Sequence, residues 1–248
     1  MCDRVRADRR SVLFALGGFG IAAALGPAPA RAGIKGAWHP DAHSALIIVD
    51  VQNCFVAGGS LAVPHGEDVV PLINRIAASF ATVVATQDWH TPGHVSFASS
   101  HTGARPFDTI DLAYGRQVLW PDHCVMGTDD ARFAPGLDTS SAQLVIRKGF
   151  HRDIDSYSAF LEADRHTTTG LAGYLQAREV RRVYVCGLAT DFCVAWTALD
   201  ARRAGFETAV IEDASRGIDL NGSLDAAWKS MTAAGVHRIR SADLAISS

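Results

Sequence analysis

Cys193 occupies a position suited to a sulfur nucleophile. The short apolar run Val183-Tyr184-Val185-Cys186 leads into Gly187-Leu188-Ala189-Thr190-Asp191-Phe192-Cys193, and a helical pattern follows from Val194 to Arg203. A strand that turns on a glycine into a helix leaves the first helical N–H groups unpaired, and their partial positive charge favours an anion. A thiol there is a candidate thiolate with a lowered pKa, and the same N–H groups can receive an oxyanion. Acyl transfer through sulfur requires both. A lone cysteine is more commonly a small buried apolar residue, so the neighbouring chemistry decides.

That chemistry arrives on other apolar runs. Asp50 ends Leu46-Ile47-Ile48-Val49, Asp88 and His90 lie in Gln87-Asp88-Trp89-His90, and Lys148 follows Arg147. Singly, each is explained by a cap or a solvated charge. Asp88 and His90, two residues apart in an extended segment, point the same way. Joined by the distant His123, they suit a divalent ion such as Zn²⁺, Mn²⁺ or Fe²⁺, with no organic cofactor. His94 is a fourth ligand, a residue behind a bound water or a hydrogen-bonding loop residue; Pro92 and Gly93 argue against a helix that would stack it on His90.

The elements that must position these residues alternate. Strands are predicted over Ala45–Val49, Thr82–Thr86, Gln143–Arg147, Arg182–Cys186, Thr208–Ile211 and His237–Arg240. Helices are predicted over Asp68–Phe80, Thr169–Arg178, Val194–Arg203 and Leu224–Ala234. Strands separated by helices imply right-handed crossovers, hence a doubly wound, mostly parallel sheet with helices on both faces. Ligands bind beyond the carboxyl ends of such strands, where Asp50, Asp88, Lys148 and Cys193 all fall. Between Gly93 and Asp138 periodicity is weak and prolines recur, so this segment, with Trp120 beside His123, reads as the wall of a pocket.

At 248 residues, 48% hydrophobic and 20% charged, the chain is sized for one α/β domain. A net charge of -3 with scattered basic residues excludes a nucleic-acid surface and points to a small-molecule partner, and leaves homo-oligomerisation open. Residues 1–32 differ: Arg4, Arg6, Arg9 and Arg10, then apolar Val12 to Leu25, then Ala30-Arg31-Ala32, an A-x-A cleavage pattern. They read as a cleaved export signal, twin-arginine-like at Arg9-Arg10, before a domain at 33–248. The apolar stretch is short of the ~20 residues that span a bilayer, so no stable membrane insertion is expected after cleavage and the mature protein is expected in the periplasm or outside the cell. Cys54, Cys124, Cys186 and Cys193 then remain; four cysteines permit three full pairings, and few or none are expected to pair.

The segments Ile47 to Asn53, Gln87 to His90, Trp120 to Cys124, Arg147 to Gly149, Asp155 to Phe160 and Gly187 to Cys193 together resemble the nicotinamidase/pyrazinamidase branch of the isochorismatase-like cysteine hydrolases. The resemblance runs in order from about Ala45 to Gly235. It implies attack of Cys193 on a nicotinamide carboxamide, with Asp50 as proton shuttle and Lys148 holding Asp50. It further implies an oxyanion site at the backbone N–H groups of Ala189 and Cys193 with a cis peptide before Ala189, metal ligands Asp88, His90 and His123, and a ring pocket of Phe55, Trp120 and Tyr157. An amide is a poor electrophile, and a nucleophile, an oxyanion site and an acid for departing ammonia answer that need.

One departure is plain. The family usually has Asp before Phe at this point, and this chain has Cys54, expected as a small buried residue in preference to a bridged or redox-active one. Two rivals remain: a related amidohydrolase acting on a carbamoyl or ureido compound, and an exported protein that binds nicotinamide or metal without turnover. The metal set opposes the first; Cys193, Asp50 and Lys148 together oppose the second.

Overall fold

The computed structural model describes residues 38–245, which fall within one compact unit, Ala37–Ser248. The predicted export signal and its cleavage point lie outside the described residues.

Six strands form one parallel sheet: β1 (Ser44–Val49), β2 (Thr82–Asp88), β5 (Leu144–Lys148), β6 (Arg182–Leu188), β7 (Glu207–Arg216) and β8 (His237–Ile239). Their order is β5-β2-β1-β6-β7-β8. β1 and β2 are buried along their whole length, as expected of near-continuous apolar strands covered on both faces. Helix α1 (Val70–Ala77) joins β1 to β2, α2 (Leu171–Ala177) precedes β6, α3 (Ala195–Arg203) joins β6 to β7, and α4 (Ser223–Ala233) joins β7 to β8.

The order reverses between β1 and β6. Successive strands run one way from β1 to β5 and the other way from β6 to β8, and right-handed crossovers therefore place α1 opposite α3 and α4. The crevice at that reversal, beyond the strand ends, is where such sheets bind ligands. Asp50 leaves β1 there, and Gly187 near the end of β6 lies opposite Val49. A Cβ at Gly187 would collide with the Val49 carbonyl, so only glycine permits the two central strands to approach as they do.

Every predicted strand and helix is present, with ends displaced by a few residues. The prediction for α1 started early because Gly66–Val69 forms a 3-10 turn before Pro71 opens the helix proper. β7 is longer than predicted, ten residues, because its pairing with β6 slips at a bulge between Val185 and Gly187 and then resumes. Within the segment predicted as loop, Thr109–Leu112 (β3) and Gly115–Val118 (β4) form an antiparallel hairpin. The segment from Thr190 to Val194 is a π turn that runs into α3, so Cys193 lies inside that turn and α3 starts two residues later than Cys193.

Candidate active site

β2 and β5 bring Asp88 and Lys148 into register as direct partners. The Lys148 ammonium, fully buried, reaches Asp50 Oδ2 at 2.8 Å, contacts Asp88 Oδ1, donates to the Ser156 carbonyl at 3.2 Å and lies 3.6 Å from Cys193 Sγ. Thr86 donates its hydroxyl to Asp50 Oδ1 at 2.5 Å and accepts the Asp50 N–H at 3.1 Å. One ammonium thus gathers two carboxylates and a thiol.

The charges act on one another because water is excluded. Burial is the largest influence on Asp50 and pushes its carboxyl up to about 6; Lys148 opposes this and Asp88 adds to it. Asp88 is held well below the usual carboxylate range against its burial, chiefly by Lys148 and then by the two histidines. Lys148 is raised despite burial by Asp50, Asp88 and Cys193. Cys193 corrects the expectation of a lowered pKa. Burial drives its thiol well up, the two carboxylates push the same way, and Lys148 alone favours the anion. The helix start visible in the sequence is outweighed by desolvation.

Next to this triad, His90 Nε2 and His123 Nε2 lie 3.7 and 3.8 Å from Asp88 Oδ2, all three side chains buried. His123 donates its Nδ1–H to the Pro121 carbonyl at 2.8 Å, which turns its Nε2 towards Asp88. The His90 ring rests on Gly149, where a Cβ would collide with it. Gln52 clamps the backbone of Asp88, accepting its N–H at 2.8 Å and donating to its carbonyl at 2.9 Å. One carboxylate and two imidazoles converging within 4.8 Å fit a divalent ion and leave coordination positions for other ligands.

His94 does not join this group. Its Nδ1 accepts the Ser96 N–H at 3.2 Å, its Nε2 faces the carbonyls of His151 and Ile154, and burial pushes it down to about 4. Both nitrogens are occupied, so the fourth-ligand expectation gives way to a supporting position, with its ring 4.4 Å from that of His90.

A narrow cavity opens among Cys193, Asp88 and the two histidines. Phe55, Trp120, Tyr157, Ala189 and Cys193 line it as expected, and the peptide between Leu188 and Ala189 is cis. Leu61, Asp155, Phe192 and Ile218 line it too, and the sequence did not single them out. Trp120 donates its indole N–H to Tyr157 at 3.0 Å and sets its ring 4.8 Å from that of Phe192, edge to face. Asp191, buried beside the nucleophile position, accepts the N–H groups of Ile218 at 3.0 Å and Asp219 at 2.8 Å and the Ser223 hydroxyl at 2.5 Å. Gln52, Thr86 and Asp191 were missed as well. Gln52 and Asp191 lie within segments that carry the family resemblance but were given no role, and Thr86 left no trace beyond a polar residue at a strand end.

The cysteines depart from expectation. Cys54 and Cys124 form a disulfide with Cα atoms 5.6 Å apart, and among the described cysteines Cys186 and Cys193 are free and buried. Neighbouring backbone explains the meeting: the Cys54 N–H bonds the Asp130 carbonyl at 2.8 Å and the Cys124 N–H bonds the Asp130 carboxylate at 3.0 Å.

A parallel sheet that reverses order above a buried cysteine, aspartate and lysine defines a recognisable class of α/β fold, and residues 44–243 match the isochorismatase domain. The chain belongs to the isochorismatase family. It is 60% identical over 202 residues to the nicotinamidase of Acinetobacter baylyi, covering 82% of this chain and 94% of that one. The solved nicotinamidase/pyrazinamidase of Acinetobacter baumanii matches with a TM-score of 0.81 at 60% identity, over 82% of this chain and 98% of that one. The pyrazinamidase of Pyrococcus horikoshii, solved in complex with zinc, matches with a TM-score of 0.66 at 36% identity, over 80% of this chain and 99% of that one.

Lys148 is the sole cation within reach of both carboxylates among the described residues. Replacing it with methionine should lower stability by about 3–5 kcal/mol in denaturant unfolding, because two buried charges lose their partner. A loss below about 1 kcal/mol would show that the carboxylates are not held as ions there.

Proposed function

We propose that the chain is a nicotinamidase, a cysteine amidohydrolase that converts nicotinamide and close analogues to the acid and ammonia. The observation that carries this is the position of Cys193, 3.6 Å from an ammonium that also binds Asp50, on the wall of a narrow cavity that Asp88, His90 and His123 line as well.

In this reading Asp50 is ionised at neutral pH and takes the proton of Cys193 as the sulfur adds to the carboxamide carbon. Lys148 steadies the sulfur anion that burial opposes. The backbone N–H groups of Ala189 and Cys193 receive the oxygen as its charge develops. Asp50 then returns the proton to the departing amine, ammonia leaves and a thioester remains. Water, deprotonated by the same carboxylate, attacks the thioester and releases the acid and the Cys193 thiol. A divalent ion held by Asp88, His90 and His123 would supply a coordination position that orients the ring through its nitrogen. Phe55, Trp120 and Tyr157 enclose the ring.

Zinc, manganese and iron all suit the donor set; the zinc complex of the Pyrococcus relative favours zinc. A carbamoyl or ureido substrate would make no use of the aromatic walls or of the three ligands. For location, the basic start, apolar stretch and Ala30-Arg31-Ala32 support export and cleavage before Gly33.

Cys193→Ala should release no ammonia from nicotinamide and keep a normal metal content; ammonia release by that variant would remove the thiol from the mechanism. Because Asp50 works as a base only when ionised, kcat/KM should fall as pH drops through about 6, and Asp50→Asn should be inactive throughout. Chelation should abolish turnover and zinc, manganese or iron should restore it, with His123→Ala failing to retain metal. For export, N-terminal sequencing of the protein from a periplasmic or extracellular fraction should begin at Gly33; full-length chain found in the cytosol alone would reject it.

A further inference from the structure

We propose that the Cys54–Cys124 disulfide is a positioning cross-link of the working enzyme, coupling retention of the metal to an oxidising environment. The inference builds on the metal-site reading above and adds a covalent requirement to it.

The bridge joins two loops that meet at the site. Cys54 directly precedes Phe55 and Cys124 directly follows His123, and those two rings lie 5.6 Å apart. The Cys124 carbonyl also accepts the His90 N–H at 3.1 Å. One end of the disulfide is therefore one peptide bond from a metal ligand and one hydrogen bond from a second, and the other end is one peptide bond from the cavity wall. The partners are 70 positions apart in sequence, so without the bond only non-covalent contacts hold the loops in place. Asp130 supplies the nearest of these, taking an N–H from each cysteine and the hydroxyl of Ser60 at 2.6 Å.

Both bridged residues are fully buried. The bond is best made before the loops close, by exchange with a protein or small-molecule disulfide. Two thiols lose two protons and two electrons, the S–S bond forms, and the donor disulfide leaves as two thiols. Such donors are a feature of extracytoplasmic compartments, in keeping with the export signal read from residues 1–32. Cys193 is 3.6 Å from Lys148 and is not bridged, so the cross-link leaves the proposed nucleophile free.

The test uses the purified full-length mature protein. Denatured in iodoacetamide without reductant, it should gain two labels by intact mass, and four after reduction. Loaded with zinc and mixed with a colorimetric zinc chelator well below its unfolding temperature, the Cys54→Ser/Cys124→Ser double variant should release zinc roughly tenfold or more faster than the oxidised protein. Wild type reduced while unfolded, freed of reductant and refolded with its thiols kept unpaired should reproduce that rate, and the same treatment should leave the double variant unchanged. A cross-link that served only global stability would lower the unfolding temperature and leave the zinc release rate alone, and that result would overturn the proposal. Four labels without reductant would overturn it too. An oxidised protein that binds no zinc at all would refute the metal-site reading, and the positioning role with it, whereas loss of ammonia release with normal zinc release rates would speak against the positioning role alone.

Discussion

The site depends on a buried lysine that two carboxylates share. Lys148 binds Asp50 and Asp88 at once, so two strand-end carboxylates are tied through a single ammonium. Burial raises the Asp50 carboxyl and the Cys193 thiol, and an excess of two negative charges over one positive adds to both shifts. A cation held by Asp88 would offset that excess at short range, since the Asp88 carboxylate lies within 4.8 Å of both the Asp50 carboxylate and the Cys193 sulfur.

The sheet sets the spacing of this arrangement. Asp88 and Lys148 are registered partners on adjacent strands, and Asp50 leaves the next strand across. Gln52 fastens Asp88 from the loop after β1, and Thr86 fastens Asp50 from β2, so each strand end is braced by its neighbour. The reactive groups are therefore set by rigid elements, and the loops supply mainly the walls.

Much of this was legible before the structure. Buried parallel strands write themselves as apolar β-branched runs, so β1, β2 and β6 and the polar residues at their ends could be read directly, and the half-exposed edge strand β5 by its shorter Leu144-Val145-Ile146 run. The β3–β4 hairpin could not. Its strands are four residues long, and although Thr109–Leu112 alternates polar and apolar, the run is too short to mark a strand and Gly115–Val118 does not repeat it. The pairing of Cys54 with Cys124 depends on where two distant loops meet, which residue types do not encode. The thiol environment was misjudged because a sequence displays the turn that precedes a helix and hides the burial and the carboxylates around it. His94 shows the same limit, since its spacing from His90 says nothing of the carbonyls that occupy its Nε2.

Asp191 has a consequence for how such a pocket can change. Its carboxylate ties the Ile218 segment to the very turn that carries Cys193, so that part of the cavity wall and the sulfur behave as one rigid body. Enlarging the chamber from that side would drag the nucleophile out of line with Asp50. Trp120 meets the same turn, its ring 4.8 Å from that of Phe192, so bulkier amides would have to be accommodated at other wall residues such as Leu61.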